Sequence, residues 1–188
     1  MSKIYFSFPK IIKNSFFFKY RLFLATKIFD VMRKLKNPWQ GANSFHCFGC
    51  DKSNPIGLKL DFFEEGDSVI CLWKPQPEYQ GYIDTLHGGI QSTLHDELAS
   101  WVIYVIGKTA GMTAKMEVSF LKPVSTNEES IKLLGKIVAT DKKHITVHTR
   151  LFNDQGDLCS EANVVYRVFP QELAVRKLNY PGPEAFYA

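Results

Sequence analysis

Leu86-His87-Gly88-Gly89-Ile90-Gln91-Ser92-Thr93-Leu94-His95-Asp96-Glu97 is the stretch from which the rest of the chain can be read. Two adjacent glycines open a helical pattern that carries two carboxylates within about three turns of its start. Glycine at a helix entrance lets a ligand approach bare backbone N–H groups, and the helix dipole favours negative charge there. A developing oxyanion can be held by such donors, and a carboxylate further along the same helix can act as general base or nucleophile. The pairing points to acyl chemistry.

The helical period runs from Gly88 to Ile106, with Ile90, Leu94, Leu98, Trp101, Val102 and Val105 on one face. Asp96 falls roughly 200° from Leu94 around the helix, beside Ser92, Thr93 and Ser100. Ile103 shares that sector, which implies burial against a further surface, a second subunit among the candidates. Glu97 lies nearer the apolar stripe and reads as a structural or rim carboxylate. His95 points elsewhere and reads as a packed or hydrogen-bonded histidine.

Working outward, alternating residues predict strands on both sides of this helix. Leu58–Phe63 and Asp67–Trp73 flank the Glu65-Gly66 turn as a hairpin. Residues 74–86, with Pro75, Pro77 and Gly81, read as a connecting loop. After Gly107–Gly111, Met112, Ala114, Met116, Val118 and Phe120 fall on one strand face and Thr113, Lys115, Glu117 and Ser119 on the other. Lys122-Pro123 ends that strand, and three more follow near 131–140, 143–152 and 158–169. Two strands, one apolar helix and four strands predict an α+β fold. In it a curved six-stranded antiparallel sheet wraps one long central helix, because so apolar a helix cannot lie on a wet surface.

The chain has 188 residues, enough for one well-packed domain. Its net charge of +4 is unevenly spread. Residues 1–40 hold nine Lys/Arg against one acid (+8), and the remainder carries −4, which argues against a nucleic-acid-binding body. Residues 1–38 form a basic, aromatic leader in which Lys19 and Arg21 interrupt the apolar run a signal peptide needs. Its make-up is that of an organelle presequence or of a helix lying on an anionic membrane. The simpler reading takes Met32 as the start, with 1–31 as an upstream extension. The domain is expected at 39–170, followed by an irregular tail at 171–188. Four cysteines are too few for a disulfide scaffold and read as reduced thiols in a cytoplasmic protein.

With His87-Gly88-Gly89 at the helix start, Asp96 nine residues after the His and a Met-rich strand ending in Lys-Pro, the chain resembles the hotdog-fold acyl-CoA thioesterases. The phenylacetate-degradation (PaaI-like) type is the nearest in pattern. Cys47-Phe48-Gly49-Cys50 and Asn54-Pro55-Ile56-Gly57-Leu58 are similar to the entry segment of some members. The resemblance covers about residues 45–169 and implies hydrolysis of a thioester to free acid and coenzyme A. It implies that the Gly88 amide polarises the carbonyl, that Gly89 permits the tight turn, and that Asp96 is the general base or nucleophile. His87 would fix the turn or contact substrate, and Thr113 would orient the attacking water. Relatives place an Asn or Gln six residues before the His. That position is Gly81 here, so Gln80 is the substrate-binding candidate if the loop shifts by one residue. The resemblance further implies a homodimer, or a dimer of dimers, whose sites lie at the subunit interface. No cofactor is implied beyond the coenzyme A of the substrate.

The rival expectation is a non-catalytic acyl-CoA or lipid-binding module of the same fold, since fold alone does not prove catalysis. No Gly-x-Ser-x-Gly elbow and no phosphate loop occur. Cys47-x2-Cys50 is half a zinc site by spacing, but no downstream Cys or His pair completes it, so no metal is expected.

Overall fold

The computed structural model describes residues 32–187. The expectations placed on residues 1–31 lie outside the described residues.

Among the described residues, nine strands and two α-helices follow in order: β1 Arg33–Lys34, β2 Asp61–Glu65, β3 Ser68–Trp73, β4 Gln80–Tyr82, β5 Thr85–Leu86, α1 Gly88–Val105, β6 Gly111–Phe120, β7 Ile131–Thr140, β8 His144–Phe152, β9 Leu158–Val168 and α2 Gln171–Leu178. The main sheet has the order β1-β2-β3-β7-β8-β9-β6, with every neighbour antiparallel. The expected six strands are all present, and the two-residue β1 adds a seventh at one edge. β4 and β5 form a separate two-stranded hairpin within the stretch read as a loop.

The sheet packs on α1 as its apolar stripe requires. Leu94, Leu98, Ala99, Trp101, Val102, Ile103 and Val105 are buried, against Val69 and Cys71 of β3, Leu133 of β7, Val147 of β8 and Val164 of β9. Burying each such aliphatic side chain contributes about 2 kcal/mol. Gly135 of β7 is the close-approach point, because a Cβ there would sit 3.1 Å from Leu98 Cγ and from Val102 Cγ2. Phe62 of β2 stacks on Trp101 at 4.2 Å between centroids.

Three segments depart from simple alternation. Leu58, Leu60 and Phe62 are buried as alternation expects, but Lys59 takes a left-handed φ of 57° and the regular strand begins only at Asp61. In β6, a bulge between Thr113 and Lys115 leaves Ala114 without a partner in β9. An extra residue flips the side-chain alternation. Thr113 therefore shares the helix-facing side with Met116 and Val118, not the opposite side that strict alternation predicts. The tail is ordered, not irregular. α2 ends on left-handed Asn179, after which Tyr180 and Phe186 are buried against Trp101 and Tyr104. Pro181, Gly182 and Pro183 mark a turn inside that packing rather than its end. At the start of the described residues, Leu35 is only 4% exposed and its N–H donates to Phe62 O, so Arg33–Lys36 also pack on the sheet.

Candidate active site

His87 is the N-cap of α1, and its Nδ1 accepts the Gly89 N–H at 2.8 Å. That bond assigns the ring proton to Nε2. His87 N–H donates to Tyr79 O, and Gly81 lies directly under the ring, where a Cβ would be 3.0 Å from His87 Cδ2. Gly81 thus leaves room for the histidine. Gln80 accepts the Asp84 N–H at 3.2 Å through Oε1, so its side chain braces the β4–β5 turn. It does not line the cavity described next.

The first turn of α1 opens into a cavity of about 530 Å³, lined among others by Tyr82, Leu86, His87, Gly88, Gln91 and Phe120, with Lys122 also on its wall. Gly88 occupies the first helical position, whose N–H has no partner within the helix. Among the described residues no other group accepts from it, whereas the Gly89 N–H is taken by His87. Gln91 is anchored from both ends. Its Nε2 donates to Leu86 O at 3.3 Å and its Oε1 accepts from Ser160 Oγ at 2.9 Å. Ser160 Oγ in turn lies 3.0 Å from His95 Nε2, and Thr149 Oγ1 lies 2.8 Å from His95 Nδ1. His95 is therefore a buried, hydrogen-bonded histidine. Burial is the main reason its pKa is lowered to about 4, with the nearby His148 second.

Asp96 lies two turns along α1 from Gly88 and is partly buried. Its Oδ1 accepts from Thr113 Oγ1 at 2.7 Å and from Tyr166 Oη at 2.9 Å. Tyr166 Oη also lies 3.0 Å from the Asp96 carbonyl, so the one phenolic proton chooses between two acceptors. Thr113 and Tyr166 are direct cross-strand partners on β6 and β9, and the bulge after Thr113 brings both side chains to the same carboxylate. Burial, then the Asp96 charge, pushes the Tyr166 hydroxyl well above its ordinary range and keeps it a donor. Sequence reasoning missed Tyr166 and Gln91. The small, alternating helix-facing set of β9 (Ser160, Ala162, Val164, Tyr166) was the available signal for both.

Glu97 turns to the other side of α1 and meets Cys47 and Cys50. Burial is the main cause that raises its pKa to about 7, followed by the Cys47 charge. The hydrogen bond from Cys50 lowers the Cys47 thiol to about 6, and the same contact pushes Cys50 upward. Asp96 and Glu97 are neighbours in sequence with separate surroundings.

Comparison with known proteins bears on this geometry. The thioesterase superfamily model matches residues 84–160, from the β4–β5 turn to early β9. Human acyl-coenzyme A thioesterase 13 is 30% identical over 64 residues, which is 34% of this chain and 46% of that protein. The chain therefore spans about half the length of the curated relatives it matches. A Streptococcus mutans UA159 protein whose crystal structure is bound to acetyl CoA superposes with a TM-score of 0.58 at 16% identity, over 70% of this chain and 98% of that one. Escherichia coli PaaI, from the phenylacetic acid degradation operon, superposes at 0.54 and 14% identity, over 61% and 82%. At such identities the superpositions speak to the fold alone. Residues 84–160 thus match the thioesterase superfamily, and the architecture that carries them is the hotdog fold.

Proposed function

We propose that this protein is an acyl-CoA thioesterase of the PaaI-like kind that works as a homodimer. The observation that carries the reading is Asp96, a carboxylate held by two hydroxyl donors midway along a helix whose first amide, at Gly88, opens into a cavity. The Asp96 Oδ2 atom has no hydrogen-bond partner among the described residues and is free to take a proton from water or to attack the thioester directly. In the first route the water oxygen bonds to the carbonyl carbon and its proton passes to Asp96. Negative charge develops on the carbonyl oxygen at the Gly88 N–H. Collapse breaks the C–S bond and expels coenzyme A as thiolate, which recovers the proton.

Asp96 follows Gly88 by eight helical steps, so their backbones stand about 12 Å apart within one chain. One carbonyl cannot touch both. A second copy resolves this if Gly88 of one chain faces Asp96 of the other. The free edge of β6, with Met112 61% and Phe120 54% exposed, is the surface such a dimer would cover. Bound acetyl CoA in the Streptococcus mutans protein and the name of the human relative support an acyl-CoA ligand. The four free thiols agree with a cytoplasmic setting. Among the described residues no helix is long and apolar enough to cross a membrane.

The test is thiol release by the full-length chain from acetyl-, phenylacetyl-, hexanoyl- and palmitoyl-CoA, with thermal shifts on the same samples. Turnover is expected, and Asp96→Asn should lower it by about 10²- to 10⁴-fold. Acyl-CoA that stabilises the protein without releasing thiol would overturn hydrolysis in favour of a binding module.

A further inference from the structure

We infer that Cys47, Cys50 and Glu97 form a three-ligand site for a thiophilic divalent cation of the Zn²⁺ class. Spacing alone supplies only the two cysteines; α1 supplies the third donor. The two sulfurs and a Glu97 carboxylate oxygen lie within 4.8 Å of one another. Cys47 Sγ stands 3.5 Å from each Glu97 oxygen. Zinc bonds of about 2.3 Å to sulfur and about 2.0 Å to oxygen at a tetrahedral angle place those two atoms about 3.5 Å apart. The Cys47–Glu97 pair already has the spacing that a shared cation demands, and the Cys50 sulfur lies within 4.8 Å of both.

The surroundings hold each donor in place. Cys47 Sγ is itself placed by its contact with the Glu97 carboxylate. Asn37 Nδ2 donates to Cys50 Sγ at 3.4 Å, and Trp101 Nε1 donates to Glu97 Oε1 at 3.3 Å. N–H groups aimed at ligand sulfur and oxygen are the outer shell that orients metal ligands. Gly49 makes the approach feasible, because a Cβ there would lie 2.4 Å from Glu97 Cδ. Two thiolates select Zn²⁺ over Mg²⁺ or Ca²⁺. Cys50 is buried and Cys47 and Glu97 are partly buried. A cation here would clip the 45–57 loop to α1 at the residue after Asp96.

The experiment titrates Co²⁺ into reduced, chelator-treated full-length protein and follows thiolate-to-cobalt charge-transfer absorption. Saturation at one Co²⁺ per chain is expected, with stoichiometric displacement by Zn²⁺. Glu97→Gln should keep the charge-transfer band but weaken affinity by roughly tenfold or more, and Cys47→Ser should lose much of the band. Alkylation of the wild-type protein needs no variant, and Zn²⁺ should protect Cys47 and Cys50 together. No saturable band, Co²⁺ binding unchanged in Glu97→Gln, or thiols left unprotected by Zn²⁺ would each overturn the assignment. If diamide joined the two cysteines with loss of two hydrogens while Zn²⁺ gave no protection, the pair would be a redox dithiol instead.

Discussion

At Asp96 two hydroxyls from adjacent strands hold one oxygen of a carboxylate, which fixes the direction of the other. A hydrogen bond to a charged group is worth about 1.5–3 kcal/mol, so losing one should be visible in turnover. Thr113→Val and Tyr166→Phe are each expected to lower kcat by roughly 10- to 100-fold with KM little changed, measured by thiol release. Wild-type kcat in both variants would remove the pair from the mechanism. His95 gives a second prediction at this scale. Its pKa falls from 6.5 to about 4 on folding, so the unfolded chain takes up a proton first as pH drops. The stability this histidine contributes is complete above pH 6.5 and lost as pH falls toward 4, up to about 3 kcal/mol. Urea unfolding at pH 7 and pH 4.5 should show that loss in the wild type and a smaller one in His95→Gln, whose amide can still bridge Thr149 and Ser160.

Among the elements, α1 and β7 meet at the missing side chain of Gly135. Gly135→Ala is expected to destabilise by about 1–3 kcal/mol, because Leu98 and Val102 have nowhere to retreat inside a packed core. Chemical denaturation would show it, and an unchanged midpoint would mean that the helix can lift off the sheet. The bounds of α1 and of the long strands were legible in the sequence, since periods of 3.6 and 2 express which faces are buried. The bulge at Ala114 was not legible. It depends on what β9 offers as a partner, and alternation alone placed Thr113 on the wrong side of its strand. α2 and the buried Tyr180 and Phe186 were hidden for a related reason. Pro181-Gly182-Pro183 states that the chain turns, while the aromatic surface that receives it is assembled from Trp101 and Tyr104 far earlier in the chain.

For the whole molecule, the proposed mechanism makes dimerisation a condition of activity, because Gly88 and Asp96 stand about 12 Å apart along one helix. Complementation tests this directly. Gly88→Pro removes the N–H at the first helical position, where proline is tolerated. Alone, Gly88→Pro and Asp96→Asn should each be inactive. Co-folded in equal amounts they should recover roughly a quarter of wild-type turnover, because half the dimers are mixed and each of those has one intact site. No recovery from a mixture that does form mixed dimers would rule out a site shared between Gly88 of one chain and Asp96 of the other.

The sequence by itself determined the order of the elements, the apolar face of α1, and the His87-Gly88-Gly89 entrance with Asp96 off the core stripe. Each of these follows from local periodicity and local backbone chemistry. Tertiary structure decided which side chains meet across long separations. Tyr166 reaches Asp96 from 70 residues away, Glu97 closes on Cys47 across 50, and Gln80 is spent on its own turn rather than on the cavity. Pattern along a chain encodes which face is buried. What lies opposite that face is settled only when strand register, bulges and close approaches bring distant residues within a few ångströms.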